Sequence, residues 1–186
     1  MEGAVMSQSS RVDSLISGPA ASFEQPFEMM CACHEKMQRT LALLERLRVH
    51  LGEHGADEQA RQAASDVMRY FDKAAPQHHR DEELHVFPPL LAGNDPATKT
   101  VVDRLRQEHV QMEARWEAAR AVLAAVADGE LPLLGAAGHA ALDAFSGLYA
   151  DHIAAEEQIA YPAAAALLDS AAVTAMGREM AARRGA

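Results

Sequence analysis

Four stretches of this chain set mostly apolar residues at intervals of three or four. That spacing admits little except long helices packed around a common axis. The first stripe is Phe27, Met30, His34, Met37, Leu41 and Leu44. The second carries Val67, Phe71, Ala74, His78 and Glu82. The third is Val102, Leu105, His109, Met112, Trp116, Ala119, Leu123 and Val126, and the fourth is Leu142, Phe145, Tyr149, His152, Glu156 and Ile159. Residues so spaced share one face of an α-helix. The expected helices cover about residues 23–51, 57–90 and 97–127, and then a stretch from just after Pro132 to about Leu168. Gly52 and Gly55, the run Gly93-Asn94-Asp95-Pro96, and Asp128-Gly129 separate them. Short links between long helices favour an all-α, up-down-up-down four-helix bundle. Pro76 lies inside the second helix and should kink it one turn before His78. Residues 1–22 read as a flexible arm, 23–170 as the bundle, and 171–186 as a short Arg-bearing helix and tail.

The formal net charge of −10, with no Lys/Arg-rich run, argues against nucleic acid and anionic membrane surfaces as partners. No apolar run is long enough to span a bilayer. The start lacks the charged-then-apolar layout of a signal peptide, so cytoplasmic residence is the expectation. Cys31 and Cys33 point about 200° apart on a helix and are poorly placed to bridge each other, which fits reduced thiols. A homodimer is left open.

His34 and His109 occupy core slots in their stripes. The segment HHRDEELHVFPPL, beginning at His78, places His78 over Glu82 and His79 over Glu83, one turn apart. One of these pairs must face inward if Val86, Phe87 and Leu90 face a core, and which pair it is stays open. His152 and Glu156 repeat the i, i+4 relation on the fourth helix. Counted inward from one end of the bundle, His34, His78, Glu82, His109, Glu113, His152 and Glu156 fall within a slab on the order of 10 Å thick. A lone core histidine is usually satisfied by a neighbour. Four at one level, with inward carboxylates, cannot all pair cheaply in an apolar bundle. These seven residues are the candidate metal ligands. His50, His54 and His139 read as surface residues, and His85 as lying outside the ligand set.

Imidazole and carboxylate donors without thiolate suit iron, manganese or zinc. Six or seven candidates exceed the four ligands of one zinc, and a two-metal site with bridging carboxylates accounts for the surplus. No Cys-x-x-Cys-His occurs, which argues against covalently attached haem.

The segments CHEKMQRTLALLERL, HHRDEELHVFP, LRQEHVQMEARW and HIAAEEQIAYP together resemble the hemerythrin-like (HHE cation-binding) domain, over about residues 24–168. The resemblance implies a four-helix bundle holding a non-haem di-iron centre with two bridging carboxylates. It points to His34, His78, Glu82, His109, His152 and Glu156. Oxygen-carrying hemerythrins have a second histidine one turn after the first on the third helix, where this sequence has Glu113. Their fourth-helix carboxylate stands five residues after the histidine, at Glu157 here, while Glu156 matches other HHE domains.

The first functional expectation is a soluble di-iron protein that binds O₂, or senses oxygen, iron or nitric oxide. The second is an enzyme at the same centre, carrying out peroxide disproportionation or nitric-oxide-stress repair, with Glu113 and Tyr149 as suggestive neighbours. The third is a helical interaction module whose histidines bind nothing.

Overall fold

The computed structural model describes residues 22–186; the arm expected over 1–22 lies, but for its last residue, outside them. Among the described residues there are helices and no strand. Helix α1 is Pro26–His54, α2 Glu58–Phe71, α3 Ala74–Asp81, α4 Phe87–Ala92 and α5 Pro96–Ala127. Then come α6 (Ala136–Ser146), α7 (Tyr149–Ala155), α8 (Tyr161–Leu167) and α9 (Ser170–Arg184). Four rods form the bundle: α1, the string α2–α3–α4, α5, and the string α6–α7–α8. Asp57 and Asp95 cap α2 and α5, accepting from the backbone N–H of Ala60 and of Ala97 and Thr98.

The expected second and fourth helices are interrupted, and prolines explain three of the interruptions. Pro76 has no N–H, and its ring crowds the carbonyl of Asp72 four residues back, so the ladder opens at Asp72–Lys73 and α3 starts afresh. Two further breaks, Glu82–Val86 and Glu156–Ala160, are π-turns, in which each N–H reaches back five residues. The amides of Phe87 and Tyr161 bond the carbonyls of Glu82 and Glu156. Pro88 and Pro162 follow directly. Their rings would strike the carbonyls of Leu84 and Gln158 in an ordinary α-turn, and the wider turn relieves both clashes. The extra residue shifts the register. Ile159, expected in the core stripe, is 43% exposed, and Ala160 is buried in its place. A shorter interruption at Gly147–Leu148 separates α6 from α7.

The buried apolar residues form two clusters. One gathers Met37, Leu44, Phe71, Met112, Phe145 and Tyr149. The other gathers Met30, Phe87, Leu105, Ala160, Tyr161 and Met180. On three rods the chain passes from one cluster to the other across polar residues: His34 between Met30 and Met37, His78, His79 and Glu82 between Ala75 and Val86, and His109 between Leu105 and Met112. On the fourth, His152 and Glu156 stand on either side of the changeover from Ile153 to Ala155. A polar layer is thus sealed above and below by apolar side chains.

Helix α9, expected only as a short tail helix, folds back on the bundle. Gly177 crosses the backbone at Phe23 so closely that a Cβ there would overlap the Phe23 carbonyl oxygen. Arg183 and Arg184 reach the buried carboxylate of Asp81 at 2.7 and 2.5 Å. Glu179 joins the same network through Arg183 and His85.

Candidate metal centre

Eight polar or charged residues are buried among the described ones: His34, His78, His79, Asp81, Glu82, His109, His152 and Glu156. Asp81 is answered by the two arginines of α9. The other seven belong to the layer, and their donor atoms converge in two groups. His34, His78, Glu82 and Glu156 form one, and His79, His109 and His152 the other. Within each group the donors lie within 4.8 Å of one another.

The two carboxylates link the groups. Glu82 turns Oε1 to His78 Nε2 at 3.3 Å and Oε2 to His109 Nε2 at 3.3 Å. Glu156 turns Oε2 to His34 Nε2 at 3.1 Å and Oε1 to His152 Nε2 at 2.7 Å. Each carboxylate therefore has one oxygen on either side.

The contacts are close without being aligned as hydrogen bonds. Nε2 of His79, His109 and His152, Oε2 of Glu82 and both oxygens of Glu156 are buried and lack a hydrogen-bond partner. Leaving such groups unpaired costs about 1–3 kcal/mol each. Donors aimed at a shared point rather than at each other are what a bound cation requires, so the residues present fit a metal.

Outside the layer, carboxylates hold the far side of three rings. Glu157 meets His34 Nδ1 at 2.9 Å, Glu83 meets His109 Nδ1 at 3.3 Å, and Glu108 meets His152 Nδ1 at 2.8 Å. Such a partner fixes the tautomer that leaves Nε2 free to ligate and makes it more basic. Each of the three is adjacent in sequence to a residue of the layer.

Protonation across the layer is uneven. Burial pushes the Glu82 carboxyl up to about 7, with the Glu156 charge adding to it. Burial would raise Glu156 too, but His109, His152 and His34 crowd it and hold it well below the usual carboxylate range. Burial acts against the His109 imidazolium, and the nearness of Glu156 and Glu82 outweighs it, lifting the group to about 10. His34 and His152 move the same way, against burial, chiefly through Glu156. His78 falls to about 3 through burial and the neighbouring His34, and His79 falls through burial and His109.

Six of the seven residues singled out from the sequence lie in these groups. Glu113 does not: it is exposed, and it lines a cavity of about 40 Å³ with His79, Met112, Trp116 and Tyr149. Its position on α5, one turn beyond His109, is an outward one. The choice between His78 and His79 dissolves, because both point inward. Adjacent helical residues diverge by about 100°, and α3 lies so that His78 meets His34 of α1 while His79 stacks on His109 of α5, ring centres 4.0 Å apart. A third imidazole thus joins His109 and His152 from the second rod, while Glu113 on the third faces outward.

Tyr161 had no ligand-like spacing to mark it. Its hydroxyl donates a hydrogen bond to Glu82 Oε1 and stands 3.2 Å from His34 Nε2. The clue in the sequence was the repeated Glu-Glu-x-x-x-aromatic-Pro, at Glu82–Pro88 and Glu156–Pro162. Cys31 and Cys33 lie outside both groups, and burial raises both thiols.

With this geometry in view, comparison with known proteins gives a consistent result. The sequence matches the hemerythrin HHE cation binding domain over residues 25–164. The chain belongs to the hemerythrin HHE cation-binding domain family. An uncharacterized protein of Haemophilus influenzae is similar to it, 32% identical over 164 residues, which is 88% of this chain and 92% of the relative. The matched span reaches all four rods of the bundle and includes every residue of the two groups. No single helix among the described residues is long and apolar enough to cross a membrane.

Proposed function

We propose that this hemerythrin-like chain is a non-haem di-iron protein that binds or senses O₂, iron or nitric oxide. The observation that carries the reading is the pair of straddling carboxylates. Glu82 and Glu156 each present one oxygen to the His34/His78 group and one to the His79/His109/His152 group. Five imidazoles and two shared carboxylates are too many donors for one tetrahedral zinc and suit two ions of intermediate hardness. Iron fits first; manganese or zinc would find the same donors.

When bound, two iron ions would supply one-electron redox chemistry and open positions for a diatomic molecule. The protein's own residues do the rest. The two apolar clusters exclude bulk water from the layer. Glu157, Glu83 and Glu108 hold three imidazoles in ligating orientation. With Glu82 and Glu156 they bring five carboxylates to the centre, which favours the more highly charged state of the ions. Elemental analysis of tag-free protein should give two irons per chain, and anomalous scattering at the iron edge should place them in the two groups. Exposing the reduced protein to air should change its visible spectrum; a metal-free preparation that takes up no iron would sink the proposal.

One observation favours enzymatic turnover as a second reading. The cavity of about 40 Å³ beside His79 has Glu113 at its rim and Tyr149 in its wall. It is large enough for a peroxide-sized molecule, and it abuts the three-histidine group. Peroxide consumption abolished by Glu113→Ala with iron retained would establish that reading; no consumption by the iron-loaded protein would remove it.

A further inference from the structure

We propose that the phenolic oxygen of Tyr161 is itself a ligand of the ion held by His34 and His78. The inference rests on the metal reading above, and it adds a donor that the family resemblance did not imply for this chain. The donor count points there first. The three-histidine group, with one oxygen from each shared carboxylate, offers five donors; the two-histidine group offers four. An ion that takes six donors is short at the second position by more than at the first.

Distances make the same case. For metal–donor bonds of about 2.1 Å, neighbouring donors on an octahedron stand about 3.0 Å apart. Around His34 Nε2 the spacings are 2.8 Å to His78 Nε2, 3.1 Å to Glu156 Oε2 and 3.2 Å to the Tyr161 oxygen. His78 Nε2 lies 3.3 Å from Glu82 Oε1, and the Tyr161 hydroxyl touches that same oxygen. The phenol thus occupies one more vertex of the same polyhedron.

The backbone places it there. In an α-helix a residue five positions on points about 140° away. The π-turn closes that gap, its wide ring sealed by the Tyr161 amide on the Glu156 carbonyl, so that Tyr161 and Glu156 face one centre. The ring is 4% exposed, stacks on His34 at 5.5 Å with planes 9° apart, and abuts Phe27. On ligation the oxygen–iron bond forms as the O–H proton leaves to solvent, and no electron is transferred in that step.

The competing role is a simple hydrogen bond that orients Glu82, and spectroscopy separates the two. Full-length protein would be stripped by chelator, loaded with ferrous iron without air, and then oxidised by dioxygen. Iron content, visible absorption and resonance Raman spectra would be recorded for the unmodified protein, for Tyr161→Phe and for Tyr149→Phe. The unmodified protein would also be prepared with ring-deuterated tyrosine. The expected result is a phenolate-to-iron charge-transfer band whose vibrational modes shift with deuteration. Tyr161→Phe should lose it while keeping its iron, and Tyr149→Phe should retain it. Iron at full content with no tyrosine-derived modes, or a band that survives Tyr161→Phe, overturns the inference and leaves the di-iron reading standing. Failure to take up iron overturns that reading instead. Should Tyr161→Phe not fold, the isotope shift in the unmodified protein decides alone.

Discussion

At the scale of single residues, what distinguishes a ligand from a bystander here is a matter of one position. His79 and Glu113 are both polar, and both border the small cavity, but only the imidazole turns its Nε2 into the layer without a partner. His79→Ala should therefore lower bound iron from two toward one per chain, while Glu113→Ala should leave it near two; elemental analysis with a folded-state check reads both. The carboxylates behind the rings act at one remove. Glu108→Gln keeps the shape beside His152 Nδ1 but withdraws the charge that makes the ring a better donor. Metal affinity should fall about 10–100-fold, as is typical when such a partner is lost, with helicity unchanged; competition against a chromophoric chelator would measure it. An unchanged affinity would mean that the ring is held by packing alone.

The elements themselves carry a second layer of information. Each π-turn begins at a carboxylate of the layer and ends before an aromatic-Pro pair, so the proline that forbids an ordinary turn also sets how the carboxylate and the aromatic ring share a face. Deleting Ile159, the outward residue that the wide turn adds, would force Pro162 into an α-turn. That should destabilise the protein by about 3 kcal/mol, the usual cost of an interior helical proline. Deleting Ile159 together with Pro162→Ala should recover most of the loss. Urea unfolding of both variants tests the idea, and equal stabilities would show that the proline is not the cause. The same turns mark the limit of what the sequence conveyed. The 3-4 stripes located four rods and brought His34, His78, His109 and His152 to one depth, because apolar periodicity in a bundle dictates which face is inward. The stripes could not reveal a slip of register, since periodicity assumes a constant 3.6 residues per turn. A constant period consequently places Ile159 inward and gives Tyr161 no inward slot. His79 is legible only as an alternative to His78, because a stripe gives a helix one inward face and this helix meets two neighbours.

Taken as a whole, the molecule encloses a polar layer that its apolar clusters alone would not favour, and it closes one side with α9. Arg183 and Arg184 answer Asp81, the residue before Glu82, so the terminal helix is fastened beside the centre. Arg183, with His85, holds the Glu179 carboxyl down from its ordinary 4.5 to about 2. A carboxyl depressed in the folded state stabilises it fully above about pH 4.5 and progressively less as pH falls toward 2. Hydrogen exchange should therefore show protection in α9 dropping over that range before protection in α5 does; simultaneous loss would mean that α9 has no fastening of its own. The centre makes the larger demand on stability. Without metal, the folded chain keeps buried imidazoles and carboxylates whose facing atoms have no partners. Ions that bind only the folded state shift the equilibrium by mass action. At a hundredfold excess over Kd each contributes about 2.7 kcal/mol, so two contribute about 5. For a chain of this size, about 2–4 °C per kcal/mol translates that into a rise in Tm of about 10–20 °C. Anaerobic melts with and without ferrous iron would show it, and His79→Ala should give a smaller rise. A melt indifferent to iron would mean that the layer is satisfied by protons alone, with His34, His109 and His152 charged against Glu82 and Glu156, and that the convergence of the seven side chains serves the bundle rather than a metal.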